Sequence, residues 1–274
     1  MLDKELSEAA RLAREAGRII LDLYGDDIAV QYKTKSDPVT EADRKANDFL
    51  VAGLKKVFPD DGIVAEELPD VSDAARGGRV WYVDPLDGTK EFVARNGEFA
   101  VMIGLTIDAE SVLGVVYQPV ADKLYTGVVA SQEAFVETGG RRERLQVSDT
   151  ADPAELTLVV SRSHRGEATD RVVQELGIRH EMKSGSVGLK VGLLAERKAD
   201  LYVHLSDKSS AWDACGPEAI LRAAGGRFTK LSGDPYRYAS TDVQNHGGIL
   251  ACNAAAYEAV LPVVRAVAKT KGLA

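Results

Sequence analysis

The stretch Asp84-Pro85-Leu86-Asp87-Gly88-Thr89-Lys90-Glu91-Phe92, directly after the apolar run Val80–Val83, holds the residue types most able to do chemistry. Two carboxylates three residues apart, around a proline and a glycine, can converge at the end of a strand. Pro85 stiffens the turn, and Gly88 permits close backbone approach or a positive φ. Aspartate oxygens suit Mg²⁺, which takes one or two carboxylates together with substrate phosphate and water. Asp-Pro and Asp-Gly are also ordinary turn dipeptides, so taken alone the stretch leaves both readings open. Other carboxylates stand in comparable places. Glu66-Glu67 follows the short apolar segment Ile63-Val64-Ala65 and is either a further ligand or a solvated loop charge. Asp213 follows Trp212 and precedes a helical pattern from Pro217 to Ala224. It is a ligand, a helix N-cap or a charge that complements the helix dipole. Asp43 completes Thr40-Glu41-Ala42-Asp43, a Ser/Thr-x-x-Asp/Glu capping pattern that needs no further role.

These residues must be positioned by elements that the hydrophobic pattern outlines. Leu6, Ala9, Ala13, Ala16, Ile20 and Leu23 recur at three and four residues, predicting an amphipathic helix over 3–24, closed by Gly25. Residues 29–32 read as a short strand. Thr40 opens a second helix with Ala46, Phe49, Leu50, Gly53, Leu54 and Val57 on one side, broken at Phe58-Pro59-Asp60-Asp61-Gly62. From residue 63 short strand-like runs follow: 63–64, 80–83, 99–107, 113–117, 123–129 and 134–137. Such spacing suggests an antiparallel or meandering sheet. Beyond it the pattern alternates: strand 157–161, helices 169–176 and 189–196, strand 199–204, helix 217–224, strand 248–252 and helix 254–269. Helices, then strands, then alternation predict a layered α/β architecture. Ser148-Asp149-Thr150-Ala151-Asp152-Pro153 reads as a crossing loop between two lobes, about 1–148 and 149–274, that share one site.

The chain has 274 residues and a formal net charge of −8, with 45 % hydrophobic and 28 % charged residues. That length can bury a sizeable core in one large domain or two packed lobes. The acidic balance argues against nucleic-acid polymers as partners but not against a small anionic substrate, since bound metal ions reverse the local field. Cys215 and Cys252 make neither a disulfide framework nor a zinc site, and both are expected as buried small hydrophobes. No histidine near Cys215 suggests a nucleophilic pair. Residues 1–24 are charged throughout, unlike a signal peptide, and no apolar run reaches the ~20 residues a membrane span needs. A soluble cytoplasmic protein is expected.

Taken together, the acidic motifs resemble the inositol-monophosphatase superfamily. Asp84 to Phe92 is similar to its Asp-Pro-Ile/Leu-Asp-Gly-Thr signature, and Val64-Ala65-Glu66-Glu67 to its acidic pair. Asp37-Pro38-Val39-Thr40-Glu41-Ala42-Asp43 resembles its Val-Thr-x-x-Asp motif. Ala211-Trp212-Asp213, followed by Glu218-Ala219-Ile220-Leu221 and Gly225-Gly226, resembles its Trp-Asp … Gly-Gly motif. All four stand in the family's order across nearly the whole chain. The resemblance implies a layered αβαβα sandwich and a Mg²⁺-dependent phosphatase. It implies Glu66, Asp84, Asp87 and Asp213 as metal ligands, with the Leu86 backbone carbonyl. Thr89 and Asp43 become the pair that polarises the attacking water, Asp43 being the base. Phosphoryl transfer asks for charge neutralisation and in-line positioning more than for covalent chemistry from the protein. Two or three Mg²⁺ ions, inhibition by Li⁺ and a homodimer are further expectations from the resemblance.

Within the superfamily, three features favour the 3′(2′),5′-bisphosphate nucleotidases. Lys90-Glu91-Phe92 stands where inositol-directed members usually have Thr-Asn-Phe. Ser161-Arg162-Ser163-His164 resembles a nucleotidase segment whose hydroxyl residue and histidine contact the nucleotide. The run from Trp212 to Leu221 also resembles theirs. The implied substrate is adenosine 3′,5′-bisphosphate. Its contacts would be Ser161 and His164 to the nucleotide, Ser186 and Lys190 to phosphate or ribose, and Gly88, Thr89 and Asp213 around the reacting phosphate. The sequence departs from the family at Ala65, at Ser131-Gln132-Glu133-Ala134 in place of a Gly-x-Gly-Ala hairpin, and over 205–211 just before Asp213. A sugar- or inositol-phosphate phosphatase is the competing enzymatic reading. A non-catalytic nucleotide or metal sensor is the competing reading of another class.

Overall fold

The computed structural model describes residues 2–25, 30–34, 37–68, 78–163 and 165–273. Heptad-like spacing of small and apolar residues gives helix α1 (Asp3–Asp22), which buries Ala9, Leu12, Ala13, Ala16 and Ile20 along one face. Strands β1 (Val30–Thr34) and β2 (Asp37–Thr40) form a small hairpin. Thr40 then caps helix α2 (Glu41–Val57) through a complete capping box with Asp43. Both helices lie against a seven-stranded sheet in the order β3 (Gly62–Ala65), β4 (Arg79–Asp87), β5 (Ala100–Ile107), β6 (Glu110–Gln118), β7 (Lys123–Val128), β8 (Glu133–Thr138), β9 (Arg141–Arg144). A short helix, α3 (Thr89–Val93), follows β4 directly.

After the crossing loop come β10 (Thr157–Ser161), α4 (Glu167–Leu176), β11 (His180–Ser184), α5 (Val187–Ala195), β12 (Leu201–His204), α6 (Ala211–Ala223), β13 (Arg227–Thr229), β14 (Ile249–Cys252) and α7 (Tyr257–Lys269). The second sheet has the order β11-β10-β12-β14-β13. Three apolar clusters fill the spaces between five layers: α1 and α2 on the first sheet, α5 and α6 between the sheets, α4 and α7 outside the second. This is the αβαβα sandwich. Because both faces of β4 are covered, Trp81 and Val83 enter one cluster and Val80 and Tyr82 the other. That is why the strand reads as a continuous apolar run rather than an alternating one. The central cluster joins residues of both halves, from Val64 to Ala251.

Helix α6 is laid on the first sheet by a row of glycines. Gly104, Gly114 and Gly127 face one another across β5, β6 and β7. A Cβ on Gly114 would stand 2.0 Å from the Gly216 carbonyl oxygen, and one on Gly127 2.6 Å from Ile220 Cα. Side chains there would hold the helix off the sheet. The helix starts at Ala211, six residues before the expected Pro217, which sits inside it. An interior proline forfeits one i→i−4 hydrogen bond and its ring crowds the carbonyl four residues back, so the residue type usually marks a start; here the helix runs through it. Both cysteines are buried and unpaired, as expected. Among the described residues no helix is long and apolar enough to cross a membrane.

Candidate active site

Strands β3 and β4 run parallel, pairing Ala65 with Val83. Their C-terminal ends therefore deliver Glu66 and Asp84 side by side, with the Glu66 N–H donating to the Val83 carbonyl. The β4–β5 register breaks between Asp84 and Asp87. Such an irregularity bends the strand and re-aims its side chains. Gly88, at φ 100°, then turns the chain into α3, where a Cβ would press on the Glu98 carbonyl at 3.0 Å. Asp213 comes from the other side, in the first turn of α6. There it accepts from the Ser210 N–H at 2.6 Å, and Ser210 caps the helix. The outcome is a cluster in which carboxylate oxygens of Asp84, Asp87 and Asp213 all lie within 4.8 Å of one another.

The electrostatics of that cluster are unbalanced. Burial and the neighbouring Glu66, Asp87 and Asp213 push the Asp84 carboxyl well above its usual range. Burial and Asp87 do the same to Asp213. Asp87 is raised by burial, opposed by Lys190 and by hydrogen bonds from Ser186 Oγ at 2.6 Å and Gly188 N at 3.1 Å. Like charges this close resist ionising together in a desolvated site. The donors are all oxygen, which is what a hard divalent cation takes.

Beside the cluster stands a hydrogen-bonded pair, Thr89 and Asp43. Thr89 Oγ1 donates to Asp43 Oδ1 at 3.0 Å and lies 3.4 Å from the Leu86 carbonyl oxygen. Asp43 Oδ2 is occupied by the N–H and hydroxyl of Thr40, at 2.7 and 2.6 Å. Burial raises the Asp43 carboxyl against those hydrogen bonds. The capping pattern and the contact with Thr89 therefore use different oxygens of one side chain.

The remaining expected contacts divide. Ser186 is buried at φ 49°, donates to Asp87 and accepts from Leu189 N, so it braces the carboxylate. Lys190 is 3 % exposed. Its ammonium sits 5.1 Å from the Tyr202 ring centroid and 3.4 Å from the Gly185 carbonyl oxygen, facing Asp87, Glu91, Asp213 and Glu98. Ser161 ends β10 opposite Ser184, at the C-terminal edge of a parallel pair where open α/β sheets commonly bind ligands. His164 lies outside the described residues. Two carboxylates not singled out from sequence also reach this edge. Glu91 accepts from Ser163 Oγ at 2.6 Å, and Glu98 accepts from Gly185 N at 2.7 Å. The nucleotidase-like Lys90-Glu91-Phe92 was a signal for the first; nothing local marked Glu98.

The profile of the inositol monophosphatase family matches residues 1–269. A 3′(2′),5′-bisphosphate nucleotidase CysQ of Salmonella typhimurium is 38 % identical over 236 residues, covering 85 % of this chain and 93 % of that one. Its Escherichia coli K12 counterpart is 37 % identical with the same coverage. Among solved structures, the Thermotoga maritima IMPase superposes with a TM-score of 0.82 at 26 % identity, over 97 % of this chain and 99 % of that one. CysQ from Bacteroides thetaiotaomicron gives 0.76 at 32 % identity, over 91 % and 97 %. A match from the first residue almost to the last, and relatives more than a third identical along most of both chains, establish that this chain belongs to the inositol monophosphatase family.

Proposed function

We propose that this protein is a Mg²⁺-dependent phosphomonoesterase that converts adenosine 3′,5′-bisphosphate to AMP and phosphate, and that it accepts the related 5′-phosphosulfate. The observation that carries the reading is the meeting of Asp84, Asp87 and Asp213 next to the Thr89–Asp43 pair. The choice of a nucleotide is supported by relatives named as bisphosphate nucleotidases at 37–38 % identity. The all-oxygen set fits Mg²⁺: Asp84, Asp87, Asp213 and Glu66, with the Leu86 carbonyl, would hold two or three ions. When bound, Mg²⁺ supplies charge neutralisation at the phosphoryl and leaving oxygens.

The chain's own residues supply the proton path. Thr89 Oγ1 gives its hydrogen to Asp43 Oδ1 and keeps its lone pairs for a water molecule. As the water oxygen bonds phosphorus and the P–O3′ bond breaks, the water's proton passes to Thr89 Oγ1. The Thr89 proton passes to Asp43 Oδ1, since Oδ2 is saturated by Thr40. O3′ takes a proton from a second water, and Asp43 returns its own to solvent. Gly88, Thr89 and Asp213 surround the reacting phosphate in this reading. Ser161 and His164 contact the nucleotide, and buried Lys190 offers its charge to phosphate or ribose. Ser186 already donates and accepts within the protein, so it has a single lone pair left for substrate.

The test is phosphate release with Mg²⁺ from adenosine 3′,5′-bisphosphate, inositol 1-phosphate and fructose 1,6-bisphosphate, with EDTA as control. Preference for the nucleotide supports the reading. Preference for inositol phosphate leaves the metal site and removes the substrate. No release from any of the three leaves either another phosphate ester as substrate or a binding protein. Li⁺ inhibition, a homodimer and a cytoplasmic location accompany the proposal, checked by Li⁺ titration, light scattering and fractionation.

A further inference from the structure

We infer that Glu91 and Ser163 act as one positioning device that couples the 161–163 segment to the Asp87 carboxylate and so sets affinity for the part of the substrate beyond the reacting phosphate. This rests on the phosphomonoesterase reading above. Glu91 lies in α3, two residues after Thr89, and is 6 % exposed. Its Oε1 accepts from Ser163 Oγ at 2.6 Å. Ser163 comes from the other sheet, just past the end of β10, so the bond ties the metal-ligand turn to the second half of the chain.

A separate observation makes the tie specific. A Cβ on Gly185 would lie 2.5 Å from Glu91 Cγ and 2.5 Å from the Glu98 carbonyl oxygen. The Ser184-Gly185-Ser186 turn is therefore seated directly on the Glu91 side chain. Glu98 fastens both neighbours: its Oε2 accepts from Gly185 N and from Arg162 Nε, each at 2.7 Å. From that turn Ser186 Oγ reaches Asp87. The chain of contacts runs Ser163, Glu91, Gly185, Ser186, Asp87. Two sequence features that looked independent, Lys90-Glu91-Phe92 and Ser161-Arg162-Ser163, are thus halves of one contact. An exposed serine gains nothing for the core by reaching a buried carboxylate, whereas fixing its segment shapes the edge of the site. Hydrogen bonds to a charged group contribute enough to matter for affinity.

The experiment compares adenosine 3′,5′-bisphosphate with p-nitrophenyl phosphate, which lacks the nucleoside, across Glu91→Ala, Glu91→Gln, Ser163→Ala and the Glu91→Ala/Ser163→Ala double variant. Loss of the bond is expected to raise KM for the nucleotide about tenfold, with kcat falling less than about threefold. The loss in kcat/KM on the aryl ester should be several times smaller. The double variant should be no worse than the worse single one, as coupled partners require. Glu91→Gln, whose amide oxygen still accepts from Ser163, should stay near wild type. Ser163 is exposed, so Ser163→Ala tests the idea even where Glu91→Ala fails to fold. Additive losses, equal losses on both esters, or an unaffected Ser163→Ala would overturn the inference. If the wild type instead prefers inositol 1-phosphate, only the nucleotide reading fails, and the same cycle on that ester decides the device. A wild type that cleaves no phosphomonoester overturns both.

Discussion

Replacing Gly114 by alanine should cost far more activity than its distance from the reacting groups suggests. The new Cβ would sit 2.0 Å from the Gly216 carbonyl oxygen, 2.8 Å from its carbon and 3.1 Å from its Cα, all backbone atoms of α6. Real Cβ atoms essentially never approach closer than 3.0 Å, so helix and sheet must separate by about 1 Å. No side-chain rotation can relieve the clash. Asp213 lies on the same helix, three residues before Gly216, and helices move as rigid bodies over such spans. Its carboxylate therefore leaves a cluster whose oxygens now lie within 4.8 Å of one another. Functional groups must be held to about 0.5 Å, and a displacement of about 1 Å can cost about 100-fold in rate. Overpacking should also destabilise by about 1–3 kcal/mol. The assay is phosphate release at saturating Mg²⁺ alongside urea unfolding. A variant that loses stability yet keeps full activity would show that the sheet, not α6, absorbs the strain, and would refute the argument.

Asp87→Asn should reduce turnover by at least about 100-fold while circular dichroism stays native, because an amide keeps the shape but not the charge a cation needs. Its melting temperature should also respond less to added Mg²⁺ than that of the wild type. Thr89→Ala should lower kcat by about 10²–10⁴ with little change in KM, the range for losing a positioned proton-transfer group; an equal rise in KM would instead mark Thr89 as a binding residue. Burial pushes the Glu218 carboxyl up to about 7, against hydrogen bonds from Tyr238 and Arg222. Its folded state therefore holds the proton more tightly than the unfolded chain does. That contribution is complete below about pH 4.5 and is lost as pH rises through about 7, an effect of about 3 kcal/mol. Glu218→Gln should flatten the urea-midpoint difference between pH 5 and pH 8, and an unchanged difference would place the titration elsewhere.

How much of this was legible depended on how local each signal was. Helix α1 and the start of α2 follow from spacing and a capping box, and both stand within two residues of the expected bounds. The strands that pattern missed are β2, β9, β11 and β13, all of which lie at an edge of their sheet. An edge needs no second apolar face, so Arg141-Arg142-Glu143-Arg144 can pair while fully exposed. The start of α6 was hidden because Pro217 usually opens a helix, and only packing on the glycine row shows that this one carries on through it. Gly104, Gly114 and Gly127 are ordinary glycines in sequence; their meaning appears only when β5, β6 and β7 come into register. Glu98 was invisible for the same reason, since its partners Arg162 and Gly185 lie 64 and 87 residues away.

The carboxylates posed a different problem, because each had a sufficient local explanation. The structure removes the competition by dividing each group between its two oxygens. Asp43 caps α2 with Oδ2 and receives Thr89 on Oδ1. Asp213 takes the Ser210 N–H on Oδ2, Asp87 takes Ser186 and Gly188 on Oδ2, and Asp84 takes the Leu86 N–H on Oδ1. In Asp87 and Asp213 Oδ2 is anchored by hydrogen bonds, and in Asp84 Oδ1 is, while carboxylate oxygens of all three meet in the cluster. An anchored carboxylate loses little further rotamer freedom when it binds a cation or a proton, which is the physical content of preorganisation. The capping reading holds for Asp43 and the turn reading for Asp84, whereas Asp213 is not the N-cap of α6 but a first-turn carboxylate behind Ser210. Local caps and turns hold Asp43, Asp84 and Asp213, and the start of α5 holds Asp87 from across the fold, so that the acidic groups stay together against their own repulsion.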